Sequence, residues 1–242
     1  MLALVKKEFH AFFQSSTGVL IICTYLGLNG IFLWILDVPF NLIETGYAQL
    51  DGLFMLSPWV FMFLIPAIGM RMISEEKQSG TIEWLFTKPI TEWQIIIGKW
   101  AAGMSLILFA LLPTFIYGIT LYAFGNPVGN LDFGSLAGSY IGLLLLAASY
   151  LSISLFASSL TENSIVAFVT ALLFCLFFYS GFEQLANLDA LKFSGLFWMK
   201  LGINEHYTSI SRGVIDLRDV IYFIALSLSL IHISEPTRRR GI

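Results

Sequence analysis

The sequence predicts an all-α protein, a polytopic transmembrane helical bundle of six spans with a cytoplasmic helical elbow between spans two and three. Three observations carry that prediction. Of the 242 residues 57% are hydrophobic and 12% are charged, a balance too apolar for a soluble domain of this length. The apolar residues form continuous runs of roughly 20, the length that crosses a bilayer as a helix, without the period-two alternation of a membrane barrel. One long charged segment, residues 70–99, lies between two of those runs.

The spans are predicted at residues 17–36, 53–72, 101–124, 136–158, 165–182 and from 220 onward. Ahead of the first, Lys6, Lys7 and Glu8 precede Phe9, Phe12 and Phe13 in a short amphipathic stretch suited to the headgroup layer. No small-residue cleavage pattern follows near Asp37 and Pro39, so the first run reads as a retained span rather than a signal peptide. The next loop carries Asp37, Glu44 and Asp51 and no Lys or Arg, whereas residues 70–99 carry Arg71, Lys77, Lys88 and Lys99. The positive-inside rule then places the N-terminus and the charged segment in the cytoplasm. Pro66 and Pro113 each remove a backbone hydrogen bond from a span and are expected to kink it, whether to shape a cavity or only to pack.

Span four opens with Gly134, Gly138 and Gly142 at four-residue spacing, followed by Ala147, Ala148, Ser149, Ser152 and Ser154. A face of small residues predicts close helix packing, against this chain or a second permease chain. Thr161 is read as the N-cap of span five. Residues 183–219 mix Lys192, Lys200, Arg212 and Arg218 with Phe193, Leu196, Phe197 and Trp198, which suggests short helices at the outer membrane face. The last run ends early, at Ile233, before Pro236 and Arg238 to Arg240. The polar basic ending could be a cytoplasmic anchor after a short helix, but the run from His232 to Arg238 resembles translated sequencing-adapter read-through, so residues 1–228 are read as one transmembrane domain and 229–242 as a truncated last span with a non-native tail. Cys23 and Cys175 fall in apolar runs and are expected to pack as small buried thiols.

Within the charged segment, Gly80 and Thr81 open a short helix that carries Glu83 and Trp84 and stops before Pro89. Thr91 and Gln94 have the spacing of a capping box, so a second helix starts there and runs into span three. Trp84, Trp93 and Trp100 are candidate anchors at the membrane interface.

Several chemistries are missing from the pattern. Gly98 and Lys99 are followed by Trp100, so there is no phosphate-binding loop, and the chain is not itself an ATPase. His10, His206 and His232 are scattered, with no metal-ligand spacing and no nucleophile motif. No ionisable residue lies near the centre of a predicted span, which argues against proton- or ion-coupled transport. Energy would have to enter from outside the bundle.

The run from Glu75 to Glu83, with Lys88 and Pro89 and the closing Gly98 and Lys99, resembles the coupling-helix region of type 2 ABC transporter permeases. Ser57, Pro58 and Trp59, the run 125–130, the stretch 156–160 and residues 211–219 further resemble the gliding-motility permeases of the Bacteroidota. The resemblance implies a non-catalytic permease subunit of the bacterial inner membrane that binds no cofactor itself. ATP and Mg would sit on a separate ATP-binding subunit, and a second permease or partner membrane chain would complete a homo- or heterodimer. Glu75, Glu76, Thr81, Glu83 and Lys88 would meet the ATP-binding subunit, with Gly80 and Pro89 setting the bend. A membrane anchor for motility or secretion machinery that moves no substrate is the rival reading, and a plain solvated charged loop is the rival for the elbow.

Overall fold

A computed structural model describes residues 2–39, 41–42, 49–81, 83, 87, 91–126, 128–129, 131–188 and 195–234. Eleven α-helices account for nearly all of the described residues, and no strand occurs among them. In chain order they are α1 (Leu2–Gln14), α2 (Ser16–Trp34), α3 (Asp51–Gln78), α4 (Glu92–Leu111), α5 (Phe115–Phe124), α6 (Phe133–Leu160), α7 (Ser164–Leu176), α8 (Phe182–Ala186), α9 (Gly195–Met199), α10 (Ile203–Ser211) and α11 (Leu217–Ile233). Among the described residues five stretches are long and apolar enough to cross a membrane: α2, α3, α4 with α5, α6, and α7 with α8. The fold is the polytopic helical bundle that the composition predicts.

Successive spans run antiparallel, so the bundle has an elbow end, where α3 turns toward α4, and a far end. At the elbow end Ser74 of α3 meets Ser164 of α7, with the hydroxyls 3.1 Å apart. At the far end Tyr207 of α10 donates to the Phe54 carbonyl of α3 at 2.6 Å.

Helix α6 lies at the centre, packing on α3, α4, α7, α10 and α11. Its small side chains explain the position. Gly138, Gly142, Ala147, Ser149, Ser154 and Ala157 are all buried, which lets neighbouring backbones approach. A Cβ on Gly69 of α3 would fall 2.1 Å from Ser154 Oγ, so that crossing requires glycine. The hydroxyls also act as links between helices. Ser139 donates to the Ser211 carbonyl at 2.8 Å, Ser149 lies 3.3 Å from Ser227 Oγ, and Ser152 accepts from the Trp100 indole at 3.1 Å. Ser158 donates to the Met70 carbonyl at 3.0 Å and accepts from the Ile73 and Ser74 amides at 3.2 and 3.0 Å. At about 0.6 kcal/mol for each such bond in a membrane, the set contributes a few kcal/mol and a unique register.

The prolines act differently from one another. Helix α3 continues through Pro58 and Pro66, whereas Pro113 sits in a 3₁₀ turn, Leu112–Thr114, that separates α4 from α5. Span five also departs from α-geometry, through a π turn at Phe177–Gly181 between α7 and α8.

Three expectations are corrected here. The N-cap of α7 is Asn163, whose Oδ1 accepts from Ile165 and Val166 at 2.9 and 3.4 Å; Thr161 ends α6 and its hydroxyl accepts from the Asn163 amide. Asparagine at that position reaches two otherwise unpaired amides, which Thr161, two residues earlier, does not. Cys175 is buried as expected, but Cys23 is exposed. Helix α2 packs through Gly18, Ile21, Tyr25, Asn29 and Leu33, a single stripe at helical spacing, and Cys23 falls off it. Helix α11 begins at Leu217 rather than at Val220, because Asp216 caps it by accepting from the Arg218 amide at 2.9 Å.

Candidate functional site

The joint at the elbow end is built from charges that flank the apolar runs. Arg71 and Glu75 form an i,i+4 pair at 3.2 Å with both side chains about half exposed, worth a few tenths of a kcal/mol. Glu76 lies one position on, about 100° further round the helix, and points inward. There it meets Lys99 of α4, whose side chain is only 2% exposed: Nζ is 2.8 Å from Glu76 Oε1 and 3.5 Å from Glu8 Oε1 of α1. A buried ammonium costs several kcal/mol unless it is paired, so Lys99 draws both carboxylates onto α4. Three helices are joined by one cation.

The other side of α3 is also held. Lys77 donates to the Ser159 carbonyl at the end of α6, and Ser158 docks on the α3 backbone as described. Helix α1 packs on α4 through Phe9 and Phe13, whose rings lie 5.6 and 5.3 Å from Phe109, and through Leu4, which would touch a Cβ on Gly98 at 3.0 Å. Lys6, Lys7 and His10 stay on its exposed side. The amphipathic stretch thus runs alongside α4, from Gly98 near its start to Phe109 in its last turn.

Beyond Gln78 the chain leaves the bundle. Ser79 Oγ donates to the Glu75 carbonyl at 2.7 Å, and Gly80 has φ +69°, the left-handed conformation that glycine adopts without Cβ strain. Thr81 and Glu83 are helical and exposed. Trp84, Lys88 and Pro89 lie outside the described residues. The chain re-enters at Thr91 through a capping box: Thr91 Oγ1 accepts from the Gln94 amide and Gln94 Oε1 from the Thr91 amide, both at 3.3 Å.

The residues singled out in the sequence are therefore distributed unevenly. Glu75, Thr81 and Glu83 face outward around the bend at Gly80, while Glu76 is engaged inside the joint. Trp93 stacks on His232 of α11 with centroids 5.4 Å apart, and Trp100 turns into the bundle to reach Ser152. Gly138 and Gly142 are packing positions within this chain: a Cβ would fall 3.0 Å from Gly213 Cα and 2.8 Å from Ile210 Cγ2. A Cβ on Gly134 would meet nothing nearer than Asp132 Oδ1, at 3.3 Å.

Lys99 as an ion-pair centre is what sequence reasoning missed. The available signal was its place four residues inside an apolar stretch that begins at Ile95, with acids near the ends of two neighbouring helices. A second missed pair lies at the far end, where His206 Nδ1 is 2.7 Å from Asp219 Oδ1 and Nε2 is 2.9 Å from the Lys200 carbonyl, tying α10 to α11. A polar cavity of about 730 Å³ opens nearby between α3, α6, α8 and α10. Among the described residues no group of His, Cys, Asp and Glu could hold a metal ion. The elbow joint has the parts of a mechanical linkage: fixed legs and an exposed bend.

Residues 3–204 match the family described as ABC-2 family transporter protein, and the chain belongs to that family. It is a membrane-embedded permease subunit of the ABC-2 type. It is similar to the probable multidrug ABC transporter permease YbhR of Escherichia coli strain K12, with 27% identity over 158 residues that cover 62% of this chain and 41% of the relative. YbhR of Escherichia coli O157:H7 matches with the same identity and coverage. The chain spans about two fifths of the length of these curated relatives.

Proposed function

We propose that this permease subunit is driven by a separate ATP-binding subunit, which docks on the bend around Gly80 and moves the spans through the joint at Lys99. The observation that carries the reading is the contrast at the elbow end. Glu75, Thr81 and Glu83 are presented outward, while both legs beside them are fixed to the bundle, α3 through Glu76, Lys77 and Ser158, and α4 through Lys99. A push on such a bend displaces α3 and α4 together instead of being absorbed locally. ATP and Mg would be held by the docked subunit, and a second permease chain would complete the transporter. The elbow would face the cytoplasm of a bacterium with the bundle in its inner membrane, in line with the basic residues Arg71, Lys77, Lys88 and Lys99. Resemblance to the gliding-motility permease GldF supports a role in gliding motility.

The test is a gentle-detergent pull-down of the full chain, followed by mass spectrometry and an ATPase assay on what accompanies it. Recovery of a P-loop ATPase is expected. Gly80→Pro and Glu83→Lys are expected to leave membrane insertion intact while uncoupling ATP hydrolysis from transport in the reconstituted complex. Unchanged coupling in both variants would sink the assignment of the elbow. A folded chain that brings down no ATPase would favour the anchor for motility or secretion machinery.

A further inference from the structure

Two hollows adjoin at the far end of the bundle, on different physical terms. The first is the polar cavity of about 730 Å³, whose wall includes the carboxylates of Asp51, Asp132 and Glu183 and the guanidinium of Arg212. The second is an apolar groove of about 810 Å³ between α5 and α6, floored by Gly118 and Ala137 and walled by residues such as Ile119 and Ile141. Leu131 and Leu136 line both, so one opens beside the other. Each volume is in the range of small-molecule sites.

We propose that the two hollows are the head and tail halves of one site for a zwitterionic phospholipid, a lipid whose head carries a phosphate and an ammonium. Charge complementarity supports the head. Asp132 is occupied capping α6, accepting from Gly134 and Ser135 at 2.9 and 3.2 Å, and Glu183 accepts one bond from Asn204 at 3.0 Å. Asp51 and Arg212 form no ion pair among the described residues, although they share the cavity wall with opposite charge. Arg212 is the natural partner of a phosphate, and Asp51 and Glu183 of an ammonium. The Trp59 and Tyr179 rings, edge to face at 5.5 Å, add aromatic surface of the kind that holds alkylammonium groups. Tyr179 and Ser180 reach the cavity from the π turn, a departure from α-geometry that often marks a binding site. Chemistry supports the tail: Ile119 and Ile141 are exposed at membrane depth, where an acyl chain is the natural occupant of an apolar groove.

This site lies at the opposite end from the elbow and stands whether or not the coupling reading does. The test uses the full chain in dodecyl maltoside micelles doped with a phosphatidylethanolamine that carries a diazirine in its acyl chain. After irradiation, adducts are mapped by peptide mass spectrometry. Adducts are expected to concentrate in residues 115–122 and 133–144, displaced by unlabelled phosphatidylethanolamine at about tenfold lower concentration than by phosphatidylglycerol. Arg212→Ala with Glu183→Gln should abolish that preference. Ile119→Trp, on the lipid-exposed wall where it fills the groove without touching the core, should remove the adducts while the protein stays monodisperse. Adducts spread evenly over all lipid-facing helices would reduce the site to annular lipid contact and overturn the proposal. Equal displacement by the two lipids, or undiminished labelling of the folded Ile119→Trp chain, would overturn it too.

Discussion

The Lys99 ammonium lies 2.8 Å from Glu76 Oε1, and with only 2% of the lysine side chain exposed it depends on that carboxylate and on Glu8 for its solvation. Removing one partner leaves the other charge buried. Lys99→Met or Glu76→Leu is therefore expected to destabilise the protein by about 3 kcal/mol, and the double variant Lys99→Met with Glu76→Leu by clearly less than the sum. A double-mutant cycle in denaturant titrations of the detergent-solubilised protein measures the coupling. Strict additivity would mean that the pair is not formed.

Gly142 and Gly134 share a helix and a spacing but not a role. Gly142→Ala, which drives a methyl to 2.8 Å from Ile210 Cγ2, is expected to cost about 1–3 kcal/mol by overpacking. Gly134→Ala should be close to neutral, since only Asp132 Oδ1 lies near. Thermal denaturation of the two variants side by side distinguishes them.

Gly213 combines both glycine requirements. Its φ of +85° is left-handed, and a Cβ there would fall 2.4 Å from Ser135 Cα. Gly213→Ala should cost about 3 kcal/mol or more and loosen α10 from α6. Faster amide exchange in 203–213, with exchange in α3 unchanged, is the expected readout.

Two caps offer matched tests at the elbow end. Thr91→Ala and Asn163→Ala should each cost about 1 kcal/mol and speed amide exchange at the first turns of α4 and α7. Thr161→Ala should not affect α7, because the Ile165 and Val166 amides bond to Asn163.

The spans were legible because hydrophobic length is a local property. Each predicted run has its helix, extended at the ends where polar residues continue the same turn, as Arg71 to Gln78 do in α3. The capping box at Thr91 was legible for the same reason, since its two partners are three residues apart. What escaped notice depends on residues distant in sequence. Glu8, Glu76 and Lys99 come together only once three helices are packed, and their charges read individually as ordinary flanks of spans. Asn163 took the cap from Thr161 through a difference of two residues in where the helix starts, which pattern alone does not resolve. The glycines of span four announced close packing, but that Gly142 meets Ile210 of α10 and Gly138 meets Gly213 just beyond it, both in this same chain, could be known only from the fold.

The π turn at Phe177–Gly181 has a consequence for how the far end can be altered. A π turn amounts to one residue inserted into a regular helix, and each residue of an α-helix advances the face by about 100°. Everything after Gly181 in span five is thereby set about a quarter-turn out of phase with what precedes it, which brings Glu183 and Gln184 to the polar cavity while Leu173 and Phe177 remain on the membrane-facing side. The orientation of that wall is encoded in a residue count rather than in any one side chain. A single deletion between Phe177 and Gly181 would re-aim the whole segment toward lipid, where no substitution among the same residues would.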